Sequence, residues 1–238
     1  MQKDFFFIGR SDGLGNRIEE MICIQEYCVK NNMKCIYVWP KGSTGNRSYD
    51  INIAFENIEI RTSITNEEKQ QLIKRPFMRS NEYVVKFKFN FKIDKIIKYD
   101  TIIHVRGKDR LGAAYGGQGD FSTPEMLDKF IKKTIEFVNN DNSVSTYTIV
   151  SDDNQYIDKL KTSINKEFVD LNYDYDVNKN WLDFYYLTKP EKYILMCCKF
   201  SSYSITASIL GNKELFVFKN SLKSSLPRYK AKIHLIDG

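Results

Sequence analysis

Histidine is scarce in this chain and its cysteines form no motif, and both features argue against whole classes of site. Only two histidines, His104 and His234, occur among 238 residues, so a zinc centre with several histidine ligands has almost no ligands to draw on. The five cysteines are an odd number and include no Cys-x-x-Cys pair, which argues against a disulfide framework. We therefore expect the cysteines to be small apolar core residues of a protein in a reducing compartment.

Long apolar runs are absent as well. No stretch approaches the ~20 apolar residues of a membrane span, and residues 1–4 do not open a signal peptide. The 42% of hydrophobic residues suffice for a packed core, and the length suits one large or two small domains. A net charge of +6 favours an anionic partner, either phosphate on a small molecule, a lipid headgroup or nucleic acid. Because the basic residues are spread out, without a base-stacking motif, we expect no nucleic acid.

Apolar runs alternate with amphipathic helical patterns, which is typical of parallel strands joined by crossover helices. The predicted elements are strand 5–8, helix 16–31, strand 35–39, strand 101–105, a helix to about 139, strand 146–150, helix 155–164, strand 168–171, strand 193–197, a helix to 210 and strand 215–218. The strand–helix series starts twice. We therefore predict an α/β protein with parallel sheets and two domains, residues 1–95 and 96–238.

One segment breaks this pattern. Between residues 84 and 93, Lys86, Lys88, Asn90 and Lys92 alternate with phenylalanine and isoleucine. The alternation predicts a half-buried antiparallel or edge strand whose lysines discourage pairing with another chain. A basic and aromatic surface that contacts anionic lipid headgroups is the open alternative.

Three clusters of candidate binding residues follow predicted strands, at the sheet edge where open α/β sheets bind ligands. The first holds Gly13, Gly15, Asn16 and Arg17, between the first strand and the first helix. Its glycines let the backbone approach a ligand, and the helix N-terminus offers N–H groups to an anion. It has neither the Gly-Lys-Ser/Thr ending of a P-loop nor the third glycine of a dinucleotide site, so a structural turn is the alternative.

The other two clusters lie in the C-terminal part. His104 and Arg106 are two residues apart at a strand end, which places them on one face, and a guanidinium suits phosphate oxygens. Asp109 is near enough to orient Arg106. Ser201 and Ser202 begin a late helix, where hydroxyls and backbone N–H groups make a phosphate site. The alternatives are a surface loop of mixed charge and a serine that only caps its helix.

Asp174 and Asp176 match the loose Asp-x-Asp pattern with which some transferases hold a divalent metal under a nucleotide diphosphate. They lie in a loop rich in asparagine, aspartate and tyrosine, where such triplets arise by chance. We therefore expect no metal site.

Four motifs occur in order between about residues 5 and 218. They are residues 12–18, residues 104–112 with the pattern His-x-Arg-x-x-Asp, residues 148–153 with a strand that ends in Ser-Asp-Asp, and a stretch from Asp183 through Ser201 and Ser202 to Ala207. Together they resemble the fucosyltransferase superfamily of α1,6- and α1,2-fucosyltransferases. The resemblance implies a GT-B fold of two Rossmann-like domains, with a trimmed N-terminal domain, and inverting transfer of L-fucose from GDP-fucose without a metal or other cofactor.

The resemblance also implies residue roles. The N-terminal domain is expected to hold the acceptor and the C-terminal domain the GDP-sugar. Arg106 would contact the β-phosphate and stabilise the departing diphosphate, His104 would support the nucleotide, and Asp109 and Asp183 would position the arginine or the guanine. The remaining expected substrate-binding residues are Gly13, Gly15, Asn16, Arg17, Arg110, Asp152, Ser201 and Ser202.

Two positions depart from the superfamily pattern. Gly107 replaces the second arginine of the motif, and a neighbour such as Arg110 can replace its charge but not its fork geometry. The acidic residue proposed as general base falls on alanine at 113–114. We assign that role to Asp120, with Glu125 as the alternative.

The sequence thus predicts a cytoplasmic glycosyltransferase that transfers L-fucose from GDP-fucose to a hydroxyl of a glycan, such as a surface-polysaccharide or O-antigen precursor. A lipid-linked acceptor and peripheral contact with the inner face of the membrane stay open. The alternatives are a transferase of the same fold that uses another sugar nucleotide, and a non-catalytic module that binds a sugar nucleotide or a glycan.

Overall fold

The computed structural model of the chain describes residues 3–40, 50–72, 85–107, 123–219 and 232–237. These residues divide into two α/β units, the first ending at Ile93 and the second beginning at Asp94. Each unit is built on its own sheet. No helix in the described ranges combines the length and the hydropathy of a membrane span.

The first unit contains a five-stranded mixed sheet. Its elements are β1 (Lys3–Ile8), α1 (Leu14–Asn31), β2 (Met33–Val38), β3 (Ile53–Phe55), β4 (Ile58–Arg61), α2 (Asn66–Lys69) and β5 (Phe87–Phe89), with strand order β1-β2-β4-β3-β5. Strands β1, β2 and β4 are parallel, whereas β3 is antiparallel to both β4 and β5. The predicted parallel pairing is thus confirmed for β1, β2 and β4, and β3 adds antiparallel pairing at one side of the sheet. A two-residue turn joins β3 to β4, with Asn57 in the left-handed region at a φ of 63°, a conformation that asparagine tolerates.

Helix α1 fixes this sheet by apolar and polar contacts. Ile18 and Met21 are fully buried, and Cys28 continues the same buried face. The buried Gln25 amide donates to the Glu56 carbonyl at 3.0 Å and to the Lys86 carbonyl at 2.6 Å, and it accepts from the Lys86 N–H at 2.9 Å. The helix thereby holds the β3–β4 turn and the start of β5.

Strand β5 forms the sheet edge that the alternation at residues 84–93 predicts. Phe87 and Phe89 are half-buried, and Phe87 packs against Phe55 with ring centroids 6.2 Å apart. Lys86 and Lys88 are exposed. The prediction of an antiparallel edge strand is confirmed.

The second unit holds a six-stranded sheet that is parallel throughout. Its elements are β6 (Thr101–Val105), α3 (Pro124–Asn140), β7 (Thr146–Ser151), α4 (Asn154–Ser163), β8 (Glu167–Phe168), α5 (Lys179–Leu187), β9 (Tyr193–Cys197), α6 (Ser202–Gly211), β10 (Glu214–Phe218) and β11 (Lys232–Ile236), with strand order β11-β10-β9-β6-β7-β8. All five residues of β6 and of β9 are buried at its centre. Helix α3 covers one face, where Phe130 stacks on Phe218 at 5.0 Å. The parallel sheet predicted for this half is confirmed.

Candidate functional site

The carboxyl ends of β6, β7 and β9 lie side by side in the second unit. Val105 of β6 pairs in register with Ser151 of β7 and Cys197 of β9. Because the strands are parallel, the loops that follow them leave from one edge of the sheet, where α/β proteins bind ligands. Among the predicted site residues, Arg106, Asp152 and Ser201 lie on these loops, and Ser202 is the first residue of α6.

His104 joins β6 to the first turn of α6. The residue is 5% exposed, and its Nδ1 lies 2.6 Å from the Ser204 hydroxyl. The imidazole packs against the Tyr203 ring at 5.5 Å, and Tyr203 meets Phe184 of α5 edge-on at 5.1 Å. His104, which the resemblance places beside the nucleotide, thus takes part in a buried polar and aromatic contact with the start of α6.

The N-terminus of α6 offers an anion-binding arrangement. Ser201 is the residue before the ten-residue helix, it is 1% exposed, and its side chain does not cap the helix. Its buried Oγ has no hydrogen-bond partner among the described residues. A buried hydroxyl without a partner costs about 1–3 kcal/mol of stability unless a ligand forms the hydrogen bond. The first-turn N–H groups of any helix also lack intrahelical partners. Hydroxyl and amide donors at this point suit a phosphate.

Arg106 and Gly107 leave β6 on opposite faces. Strand alternation places the half-buried Arg106 on the face of His104 and Gly107 on the other. The Gly107 N–H donates to Asp152 Oδ1 at 2.9 Å. A Cβ at Gly107 would lie 2.5 Å from Cε2 of Tyr156, so this position accepts no side chain while that ring is in place.

Asp183 of α5 is a buried carboxylate with two donors. The Tyr173 hydroxyl donates to Oδ1 at 2.6 Å and the Lys179 ammonium to Oδ2 at 2.7 Å. Burial raises the pKa of Asp183, Lys179 and Tyr173 lower it, and the charge of Asp152 raises it further. The carboxylate therefore lies within electrostatic reach of the loop after β7.

The glycine-rich loop of the first unit is held by Arg17, which is fully buried. Its Nε donates to the Asp12 carbonyl at 2.8 Å, its Nη1 donates to the Pro40 carbonyl at 2.9 Å, and its guanidinium lies 4.9 Å from the Trp39 ring. Asn16 donates to the Asp12 carboxylate at 2.9 Å. These contacts of Arg17 hold the glycine-rich loop, and its role in substrate binding stays a prediction.

The glycines of the same loop differ in their surroundings. Gly13 is the N-cap of α1, and nothing lies within 4 Å of a Cβ built on it. Gly15 is buried in the first turn of α1. The predicted close approach of a ligand to the backbone therefore has open space at Gly13, whereas Gly15 is buried.

The fold of this chain is similar to that of a solved structure. NodZ α-1,6-fucosyltransferase, whose crystal was soaked with GDP-fucose, matches 87% of this chain and 93% of its own chain, with a TM-score of 0.51 and 9% sequence identity. At that identity the likeness shows the fold and nothing finer. The chain has a fucosyltransferase-like GT-B fold. The fold predicted from the four motifs is confirmed.

Comparison with known sequences adds little to what the structural likeness shows. No protein-family model matches the chain. A mannose-1-phosphate guanyltransferase of Kluyveromyces lactis is 29% identical over 98 residues, and the match covers 39% of this chain and 23% of that protein. The chain thus spans about a quarter of the length of this curated relative.

Several predicted residues lie outside the described residues: Asp109, Arg110 and Asp120. The alternative base, Glu125, is exposed in the first turn of α3, and hydrogen bonds from its own backbone N–H and from Thr123 lower its pKa, which weakens it as a proton acceptor. Asp174 and Asp176 are exposed, and no group of three acidic, histidine or cysteine side chains within the described ranges could hold a metal ion.

Sequence reasoning did not assign four residues that shape this edge. They are Tyr156, Tyr173, Lys179 and Ser204. The serine-rich run at 201–204 contained Ser204, but its partner His104 is 100 residues away in the chain. Such pairs become visible only when the sheet brings distant strand ends together.

Proposed function

We propose that the chain is an inverting, metal-independent glycosyltransferase that transfers L-fucose from GDP-fucose to a hydroxyl of a glycan acceptor. The observation that carries the proposal is the unpartnered, buried Ser201 hydroxyl at the N-terminus of α6, on the sheet edge that also holds Arg106. A fold shared with a fucosyltransferase that was soaked with GDP-fucose supports the choice of donor.

The donor diphosphate is assigned to the edge of the second unit. Ser201 and Ser202, with the first N–H groups of α6, donate to phosphate oxygens, and the guanidinium of Arg106 binds the β-phosphate. Asp183 is the candidate reader of guanine, because a carboxylate accepts from the ring N–H and the amino group that distinguish this base. The first unit is proposed to bind the acceptor.

The reaction is a single displacement. The acceptor hydroxyl attacks the anomeric carbon, the bond between that carbon and the β-phosphate oxygen breaks, and GDP leaves with the electron pair. In this proposal Arg106 and the α6 amides stabilise the charge that grows on the diphosphate, a role that a divalent metal fills in other transferases. The hydroxyl proton goes to a general base, for which Asp120 stays the prediction.

A nucleotide panel tests the donor. At about 100 times the dissociation constant, GDP and GDP-fucose are expected to stabilise the fold by about 2.7 kcal/mol, which raises the melting temperature by roughly 5–10 °C for a chain of this size. UDP and CDP are expected to leave it unchanged, and EDTA is expected to have no effect. Thermal-shift curves measure all of these. Stabilisation by UDP with manganese, and none by GDP, would contradict the proposal.

Asp183→Asn separates a binding role from a structural one. Because burial raises the pKa of Asp183, the folded protein holds its proton more tightly than the unfolded chain, and the carboxyl contributes most to stability at low pH and loses that contribution as the pH rises through the folded pKa. Asparagine keeps an acceptor for Tyr173 without the buried charge. We therefore expect unchanged or greater stability at neutral pH and a weakening of GDP binding by about ten-fold or more.

The measurements are urea unfolding and calorimetric titration with GDP. Asp176→Asn, which changes an exposed carboxylate, is the matched control and is expected to alter neither. Wild-type affinity for GDP in Asp183→Asn would remove Asp183 from the base site.

A further inference from the structure

Gly107 stands where the resembling motif has its second arginine, and a ring from another element covers it. A Cβ at this position would lie 2.5 Å from Cε2 and 3.0 Å from Cδ2 of Tyr156, and 3.7 Å from Cδ2 of Leu127. Real side chains do not tolerate the first of these distances. The ring of Tyr156, in α4, therefore lies against the backbone of the residue that follows Arg106.

A second contact holds the same peptide from the neighbouring strand end. Asp152, directly after β7, accepts the Gly107 N–H at 2.9 Å. The next residue, Asp153, caps α4 by accepting the Gln155 N–H at 3.0 Å. The carboxylate and the helix that carries Tyr156 thus start at the same point, and together they fix the chain as it leaves β6.

The surroundings of Tyr156 assign it a packing role. Burial raises the pKa of its hydroxyl, and the charges of Asp153, Asp128 and Asp152 raise it further. A hydroxyl among carboxylates is poorly placed to receive a diphosphate. The ring also belongs to the half-buried residues packed on the core of the second unit, on the face opposite Arg106.

We propose that Tyr156 is a positioning residue for Arg106: its ring covers the Gly107 backbone and, with the Asp152 carboxylate, holds the guanidinium where it meets the donor diphosphate. This rests on the proposed function. The Tyr156 ring occupies the space that a side chain at position 107 would need, and Arg106, the residue before it, is the guanidinium that this contact is proposed to position. A displaced catalytic group loses rate steeply, by as much as about 100-fold for a shift of about 1 Å.

Substitutions of Tyr156 in the full chain test the proposal. Tyr156→Phe keeps the ring and is expected to retain transfer rate and GDP affinity within about two-fold. Tyr156→Ala is expected to weaken GDP binding about ten-fold and to lower kcat by about 10- to 100-fold, at a temperature where circular dichroism shows the variant folded, with the acceptor KM unchanged.

Leu160→Ala is the matched control. Leu160 is fully buried on the same helix, one turn further from the strand end, so its loss is expected to lower stability while the GDP affinity stays unchanged. If Tyr156→Ala behaves in the same way, its role is structural only and the proposal is overturned.

A double variant tests the contact itself. Gly107→Ala alone is expected to lower both stability and GDP affinity, because the methyl group overlaps the Tyr156 ring. In Tyr156→Ala the same methyl group has room, so the two losses of stability are expected to be less than additive. Additive losses would overturn the proposal. If the wild-type chain binds no GDP, the proposed function fails and this inference fails with it, whereas normal wild-type binding that is unaffected by Tyr156→Ala removes the inference alone.

Discussion

Arg106→Gln is expected to lower sugar transfer by at least about 100-fold, with a change of less than about 1 kcal/mol in the free energy of unfolding. Arg106 is half-buried and directly follows β6, whose carboxyl end lies on the sheet edge where α6 begins, and in the proposed function its charge acts on the leaving diphosphate. Turnover of GDP-fucose measures the first effect, and urea unfolding measures the second.

Two further variants sharpen this expectation. Arg106→Lys keeps the charge without the planar fork, and we expect an intermediate loss of transfer. Lys129→Gln removes an exposed positive charge from α3 and is expected to change neither measurement. If transfer survives in Arg106→Gln, the diphosphate is stabilised elsewhere and the assigned edge is not the donor site.

Most of the second unit could be predicted because its signals are local, whereas α5 and β11 were not predicted. Strands β6 and β9 are uninterrupted apolar runs of five buried residues, which is the pattern of a strand covered on both faces, and both have the predicted bounds. Candidate residues directly after such strands must share one edge of a parallel sheet, so the amino-acid sequence alone is enough to group Arg106, Asp152 and Ser201.

The mixed sheet of the first unit had no comparable signal. Strands β3 and β4 have three and four residues, and a run of that length gives too few alternations to define a face. Their pairing depends on a turn at Asn57 and on the Gln25 amide, which reaches the backbone 31 and 61 residues further along the chain. Tertiary contacts of that span leave no trace in local periodicity.

Arg17→Met is expected to lower the free energy of unfolding by about 3–5 kcal/mol. The side chain is fully buried, donates to the carbonyls of Asp12 and Pro40, and lies over the Trp39 ring. Methionine fills much of the volume but leaves both part-buried carbonyl oxygens without these donors, and each such loss costs free energy. Urea unfolding monitored by tryptophan fluorescence measures the change.

Arg10→Met is the control for Arg17→Met. The Arg10 guanidinium pairs with Asp12 in the same loop, but both side chains are about a third exposed, so we expect a loss of less than about 1 kcal/mol. The sequence motif alone assigns Arg17 to ligand binding, and that assignment predicts a stable Arg17→Met with weakened substrate binding. The hydrogen bonds of the buried Arg17 side chain predict the opposite: Arg17→Met loses stability, and binding weakens only because less of the protein is folded. An Arg17→Met variant as stable as the wild type would therefore return Arg17 to the binding site and show that the loop is held by other contacts.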